Sequence, residues 1–402
     1  MGELARPDDP PPVGRGSRRG GRPPAGNPPV PGGASSLPPP QARKRLHHDL
    51  LAWFARVGRE LPWRNISDPY RTWVSETMLQ QTQVERVVDY YHRFLDRFPT
   101  VDRLAAAAES DVLRAWEGLG YYRRARQLHA AARRVVAEHD GRLPDTEEGL
   151  RALPGVGRYT ASAILSIAFG KPFPVVEANS RRVLARLAGY EGALGGTSGD
   201  GPVWEIAAGL LPDDAPGDWN QALMDLGAIV CTPRAPACAR CPVAGHCRAH
   251  ATGRVAAIPA MAARRRVEER RERVLVARDG GRVLVVRRGP GEWWEGLWDF
   301  PRLPAAGLVA RLGGGRPRRL GSLAYTVTHH RVRVEILACD ARRAGPRRRG
   351  ARWIAWSRLG SLAMTAPGRR IARMAAAAFA AVRRGERGGP RRGGGAAVNV
   401  DG

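Results

Sequence analysis

The sequence predicts a multidomain chain: an all-α domain, a metal-binding loop that closes it, and a smaller α+β domain. Three observations predict this. From Leu46 to about Val230 apolar residues recur at three- and four-residue spacing, as in Leu50, Trp53, Phe54 and Val57, which is helical periodicity. Beyond residue 272 the pattern becomes short β-rich runs, with Val274–Ala277 and Val283–Val286 flanking the hairpin signal Asp279-Gly280-Gly281. Between the halves lie Cys231, Cys238, Cys241 and Cys247, spaced C-x6-C-x2-C-x5-C.

The elements follow in order. Residues 1–43 are rich in Pro, Gly and Arg without apolar periodicity and read as a disordered arm. Residues 44–250 form the helical domain. Within it a six-helix part, about 68–175, faces a second part built from 44–67 and 176–250. A charged Ala/Arg-rich linker covers 251–271. The α+β domain spans 272–384, with further strands near Leu323–Val327 and Val332–Cys339 and a helix from Arg369 to Val382. Residues 385–402 read as a flexible tail. Cys339 falls inside a strand and is expected to pack there rather than bind metal.

Composition narrows the partners. The chain has 402 residues, 43% hydrophobic, which suffices for two or three cores. Apolar runs fall short of the roughly 20 residues that a membrane helix needs, so no membrane partner is expected. The formal net charge is +27, which points to a polyanion and, among polyanions, to nucleic acid. Lys44 and Lys171 are the only lysines. No secretory signal is evident, so a cytoplasmic, reducing location is expected, with the thiols free of disulfides. A monomer is expected.

Clustered thiolates hold iron–sulfur clusters or zinc. Zinc sites usually pair two short clips, and here only Cys238 and Cys241 make one. The uneven run favours a [4Fe–4S] cluster held by all four cysteines, with zinc as the alternative. Upstream, Leu153-Pro154-Gly155-Val156-Gly157-Arg158-Tyr159 separates two helices. Gly155 and Gly157 permit a tight hairpin, and the amides that open the next helix, Thr160 to Phe169, form a phosphate site. Such a hairpin grips a DNA backbone without reading bases.

Together the hairpin, Val175-Val176-Glu177-Ala178-Asn179-Ser180-Arg181-Arg182-Val183 and the four cysteines resemble the helix–hairpin–helix DNA glycosylases that carry an iron–sulfur loop. Pro62-Trp63-Arg64 and Ser75-Glu76-Thr77-Met78-Leu79-Gln80-Gln81-Thr82-Gln83-Val84 are similar to the MutY-type adenine glycosylases among them. That resemblance implies base excision repair of adenine mispaired with 8-oxoguanine or guanine in double-stranded DNA. It covers roughly residues 46–250 densely and 272–384 more loosely.

The chemistry agrees. Breaking an N-glycosidic bond passes through an oxocarbenium-like state, so one carboxylic acid and one anion are wanted. Glu76 sits on a mostly apolar helix where burial would keep it protonated. By resemblance it protonates adenine and then helps activate water. The family's Asp-Gly-Asn is here Glu177-Ala178-Asn179, which assigns Glu177 the anionic role and sets Asn179 beside it. Glutamate reaches about 1.5 Å further along its chain, and Ala178 would strain the turn if φ were positive there. Tyr159 stands where glycosylase/lyases carry a nucleophilic lysine, which implies a monofunctional enzyme.

Adenine must leave the stack to be reached. By resemblance Gln81 fills the emptied space and Tyr121 wedges beside the opposing 8-oxoguanine. Arg64 and the run Arg123-Arg124-Arg126 are candidate phosphate or base contacts. Leu297-Trp298-Asp299-Phe300-Pro301 resembles the Nudix-like domain of the family. Residues 302–322 contain no glutamate, so pyrophosphate hydrolysis is not expected there and lesion recognition is. The family's Phe-Ser-His loop reads Val327-Thr328-His329 here, which makes Thr328 and His329 DNA contacts. No carboxylate pattern accompanies His329 and His330, so metal binding is not expected of them. The alternatives are a thymine or uracil mismatch glycosylase, or a weakened lesion-binding protein.

Overall fold

The computed structural model describes residues 37–194, 200–260, 266–303, 308–313, 316–341 and 350–387. The expected tail beyond residue 387 and most of the expected N-terminal arm lie outside these. The helical domain contains α1 (Pro40–Val57), α2 (Pro69–Leu79), α3 (Val84–Arg97), α4 (Val101–Ala106), α5 (Glu109–Ala115), α6 (Arg123–Glu138), α7 (Glu147–Ala152) and α8 (Arg158–Ala163). A π-helical turn, Ile164–Ala168, extends α8. Then come α9 (Ala178–Ala188), α10 (Gly201–Leu210), α11 (Pro216–Ile229) and the short α12 (Arg248–Ala251).

Local chemistry explains where these helices start. Asp68 accepts from the Arg71 amide at 3.0 Å and Pro69 opens α2. Thr100 and Thr146 cap α4 and α7 in the same way. Gly189, at φ 66°, ends α9 in the left-handed conformation that glycine adopts without strain.

Two cores result. One gathers Trp63, Trp73, Phe94 and Trp116 from the segment between α1 and α8. The other joins Leu46, Leu50 and Trp53 of α1 to Val183 and Leu184 of α9 and Trp219 and Leu226 of α11. Trp73, Trp116 and Trp219 are fully buried. Each tryptophan so buried is worth roughly 4–6 kcal/mol in transfer free energy.

Three expectations change at this level. Helix α1 begins at Pro40, because Leu37 packs on the second core and Arg43 donates to the Gly209 carbonyl at 2.9 Å. The six-helix part holds seven α-helices and the π turn, since α4, α5 and α7 are each only six or seven residues long. Nor is the segment after α12 all linker: Ile258 is buried in the second core and the first strand starts at Glu268.

The α+β domain is a seven-stranded mixed sheet. Its strands are β1 (Glu268–Asp279), β2 (Arg282–Arg287), β3 (Trp298–Asp299), β4 (Arg302–Leu303), β5 (Arg318–Val327), β6 (His330–Asp340) and β7 (Ala351–Ala355). The order is β3-β2-β1-β6-β5, with β4 beside β1 and β7 beside β2. β1 and β6 are parallel, pairing Glu268 with His330 through to Arg278 with Asp340. Side chains alternate faces along each strand. Val274 and Val276 therefore pack with Ile371, Ala375 and Phe379 of α14 (Ala366–Arg387), after the intervening α13 (Leu308–Arg311). Leu275, Ala277 and Cys339 pack beneath α13 on the other face.

This sheet docks on the helical domain. Leu297 and Ala363 insert into the first core and Trp294 packs against it. Arg369 of α14 grips Glu117 at 2.5 and 2.9 Å, and Arg126 donates to the Glu295 carbonyl.

Candidate active site and cysteine loop

Two carboxylates and a phenol meet between the two helical cores. Glu76 lies on the inner face of α2 and is only 4% exposed. The Tyr159 hydroxyl, from the first turn of α8, donates to its Oε2. Burial pushes the Glu76 carboxyl up to about 7; the Tyr159 hydrogen bond opposes this, the nearby Glu177 adds to it, and Arg64 opposes it. Burial and the adjacent Glu76 raise the Tyr159 phenol well above its ordinary value.

Glu177 is the N-cap of α9. Its Oε1 accepts from the amides of Asn179 at 2.8 Å and Ser180 at 2.7 Å, while Ser180 Oγ accepts from the Glu177 amide at 2.9 Å. A capping box of this kind fixes the carboxylate without relying on another side chain. Burial raises its pKa, and the two amides and Arg182 and Arg181 pull it back toward the anion. Ala178 opens α9 with a helical, negative φ, so alanine brings no strain where the family has glycine.

Asn179 accepts from Arg182 Nη2 at 3.0 Å. It also presses on Gly227 of α11, where an added Cβ would stand 2.7 Å from the Asn179 Cβ. Arg182 further donates to the carbonyls of Cys231 and Gly227 at 2.8 and 2.6 Å. One turn later Arg186 reaches Cys231 Sγ at 3.2 Å and the Thr232 carbonyl at 2.9 Å. Helix α9 thus carries the Glu177 carboxyl at its head and grips the cysteine loop from its middle.

All four loop cysteines are free thiols lining one pocket with Arg186, Val230 and His250. Two 3-10 turns, Cys238–Arg240 and Ala244–His246, wrap it. Burial and then the neighbouring thiols push Cys241 up to about 11 against the Val243 amide. Tetrahedral zinc would hold its sulfurs about 3.8 Å apart, given Zn–S near 2.3 Å. Among the described residues, the donor group that closes within 4.8 Å is Glu268, His329 and His330 and not the cysteines. Four cysteine thiols on one pocket are the donor set a [4Fe–4S] cluster takes, and Arg186, beside Cys231 Sγ, would offset the negative charge of the thiolates.

The other expected contacts separate into two groups. Gln81, at φ 58°, and Tyr121, at φ 47° and 51% exposed, occupy left-handed turns that non-glycine residues seldom adopt. Such strain, held in place by its surroundings, collects at functional sites. In the hairpin between α7 and α8, Gly155 has φ 77° and an added Cβ would strike Gln127 Cβ at 2.6 Å. Val156 is buried and anchors the turn, while Gly157 faces open space. Thr328, at φ 52°, donates to the Val327 carbonyl at 2.7 Å, and His329 turns toward Glu268.

Arg64 is corrected. Its guanidinium is buried against Asp225, at 2.7 and 2.8 Å, and the Arg59 carbonyl, so it is engaged inside the protein rather than presented at the surface. The same holds for two of the three arginines opening α6. Arg124 is buried and donates to the carbonyls of Thr77, Met78, Gln80 and Gly120 and to Thr82 Oγ1. Arg126 serves the domain contact, and Arg123 remains exposed. The structural tasks of Arg124, Asp225 and Arg186 were not legible in the sequence, because their partners are backbone carbonyls or distant residues with no local spacing.

Comparison with known proteins adds an independent line. Residues 74–194 match the model of the helix–hairpin–helix superfamily of base excision DNA repair proteins. Residues 231–247 match the iron–sulfur binding domain of endonuclease III, and residues 273–374 match a Nudix domain. The adenine DNA glycosylase of Mus musculus is 34% identical over 395 residues, covering 81% of this chain and 77% of that one. The adenine DNA glycosylase of Mycolicibacterium smegmatis is 41% identical over 221 residues, covering 55% and 73%. Among solved structures, a thermostable thymine-DNA glycosylase has a TM-score of 0.47 at 31% identity, over 53% of this chain and 98% of that one.

Proposed function

Since the chain belongs to the adenine DNA glycosylase family, we propose that it releases adenine paired with 8-oxoguanine or guanine in double-stranded DNA, with Glu76 as the acid. The observation that carries the reading is the buried pair: Glu76 near neutrality under the Tyr159 hydroxyl, and Glu177 fixed by two amides close enough to feel its charge. Glu76 gives its proton to a ring nitrogen of the extruded base, and the glycosidic bond breaks with its electrons leaving on adenine. Glu177 lies beside the developing sugar cation. Glu76, now a carboxylate, takes a proton from the water that adds at the anomeric carbon. The products are free adenine and an abasic sugar.

Tyr159 offers no amine, so bond cleavage ends in hydrolysis rather than a Schiff base. Gln81 and Tyr121 enter the stack on either side of the extruded adenine, and the Gly155–Gly157 hairpin holds the phosphates. The loop carrying Thr328 faces the opposing 8-oxoguanine, with His329 beside it drawn to Glu268. Cys231, Cys238, Cys241 and Cys247 would hold the cluster, which would cross-link the loop to itself, while Arg182 and Arg186 tie that loop to α9. A monomer in the bacterial cytoplasm goes with this reading, and the net charge of +27 supports DNA as its partner.

Single-turnover assays on A:8-oxoG, A:G and T:G duplexes test it. Adenine release, fastest from A:8-oxoG, is expected; release of thymine instead of adenine would sink the reading.

A further inference from the structure

We propose that Glu268, His329 and His330 form a binding site for a divalent metal ion of the zinc class, separate from the cysteine loop. The fold assembles it from two places in the sequence. The parallel β1–β6 register sets Glu268 opposite His330, and the Glu268 amide donates to the His329 carbonyl at 3.0 Å. Thr328, forced to positive φ, turns the chain so that the two imidazoles stack with centroids 4.0 Å apart. Each then faces a different oxygen of one carboxylate: His329 Nε2 is 3.6 Å from Oε1, and His330 Nδ1 is 3.0 Å from Oε2. The three donor atoms all lie within 4.8 Å of one another.

The decisive atom is His330 Nδ1. His330 is 7% exposed, and its Nδ1 makes no hydrogen bond despite the nearby carboxylate oxygen. A buried polar nitrogen without a partner is unfavourable, and a cation between ring and carboxylate removes that deficit. Protons alone fit poorly. Two stacked imidazolium rings repel, and Arg270, 4.0 Å from Glu268, adds a third positive charge.

The surroundings leave the carboxylate available. Arg270 is drawn over the Trp293 ring at 5.2 Å, and Arg331 and Arg333 pair with Glu269 on the opposite face. Two imidazoles and one carboxylate select zinc-like ions over magnesium or calcium, which prefer oxygen. Zinc bonds of about 2.0–2.2 Å place such donors about 3.3–3.6 Å apart, within reach of small side-chain rotations here. Three protein ligands leave a fourth position for water or an external oxygen ligand.

The test uses the full chain with its cluster. Protein treated with a mild chelator is exposed to zinc sulfate and desalted, and zinc and iron are measured together. Stoichiometric zinc with unchanged iron is expected, and X-ray absorption at the zinc edge should show nitrogen and oxygen ligands without sulfur. Glu268 is exposed and His329 half-buried, and neither belongs to a hydrophobic core, so Glu268→Gln and His329→Asn spare the packing. Each should weaken zinc at least about tenfold, since even outer-shell partners cost that much, with iron unchanged. Background zinc in the unaltered chain, zinc retained by both variants, or sulfur at the zinc edge would each overturn the proposal.

Discussion

Glu76 combines an unfavourable burial with a useful proton. Because its carboxyl titrates at about 7, adenine release should fall as pH rises past that point. A single-turnover profile flat to pH 9 would remove Glu76 from the acid role. The same shift is a stability statement. The folded chain keeps this proton up to about 7, while the unfolded chain releases it near 4.5. Its contribution is complete below pH 4.5 and is lost as pH climbs through 7, on the order of 3 kcal/mol at about 1.4 kcal/mol per pKa unit. Glu76→Gln should therefore abolish release yet raise the unfolding free energy at pH 8 and not at pH 4.5, as read by denaturant titration. Glu177→Gln separates charge from capping, since an amide oxygen still accepts from Asn179 and Ser180. Release should drop by about 100-fold or more while stability moves by less than about 1 kcal/mol; an unchanged rate would strip Glu177 of its role. Borohydride should trap little covalent adduct on DNA, and efficient trapping would contradict the reading of Tyr159.

At the scale of elements, the turns carrying Gln81 and Tyr121 depend on one side chain. Arg124 ties the end of α2 to the Gly120 carbonyl, bonding four carbonyls and the Thr82 hydroxyl. Arg124→Met fills similar space but leaves those acceptors unpaired. It should destabilise the chain by about 2–4 kcal/mol and slow adenine release more than it weakens binding to undamaged duplex. Equal losses in both would make Arg124 a fold residue only. The sequence could suggest Gln81 and Tyr121 because their motif is local. It could not suggest Arg124, which reads as one more charge in Arg123-Arg124-Arg126 until the helices pack. Arg64 misled for the same reason: its partner Asp225 lies far along the chain, and only packing of α11 against the segment after α1 turns a free cation into a buried ion pair. Periodicity and the Asp279-Gly280-Gly281 signal did reveal the long helices and the first hairpin. Short helices such as α4, α5 and α7 span too few turns to show a period.

For the whole molecule, the question is how the sheet domain informs the catalytic lobe. The contact is specific: Arg369 holds Glu117, one residue before the Gly118-Leu119-Gly120 turn that presents Tyr121, and Arg86 donates to the Gly118 carbonyl beside it. The pair is about 20% exposed on each side, so its loss should cost more than a surface bridge and less than the 3–5 kcal/mol of a fully buried one. Leu297 and Ala363 would still anchor the domain in the first core, which leaves it attached but less firmly oriented. Glu117→Gln should therefore change adenine release from A:G duplexes by no more than about threefold, under 1 kcal/mol of barrier. Release from A:8-oxoG should slow further, narrowing the ratio between the two. The measurement is that ratio of single-turnover rates, taken with the thermal midpoint of the same protein. A ratio that stays constant while the midpoint falls would show that the docking contact supports the fold without conveying which base stands opposite adenine.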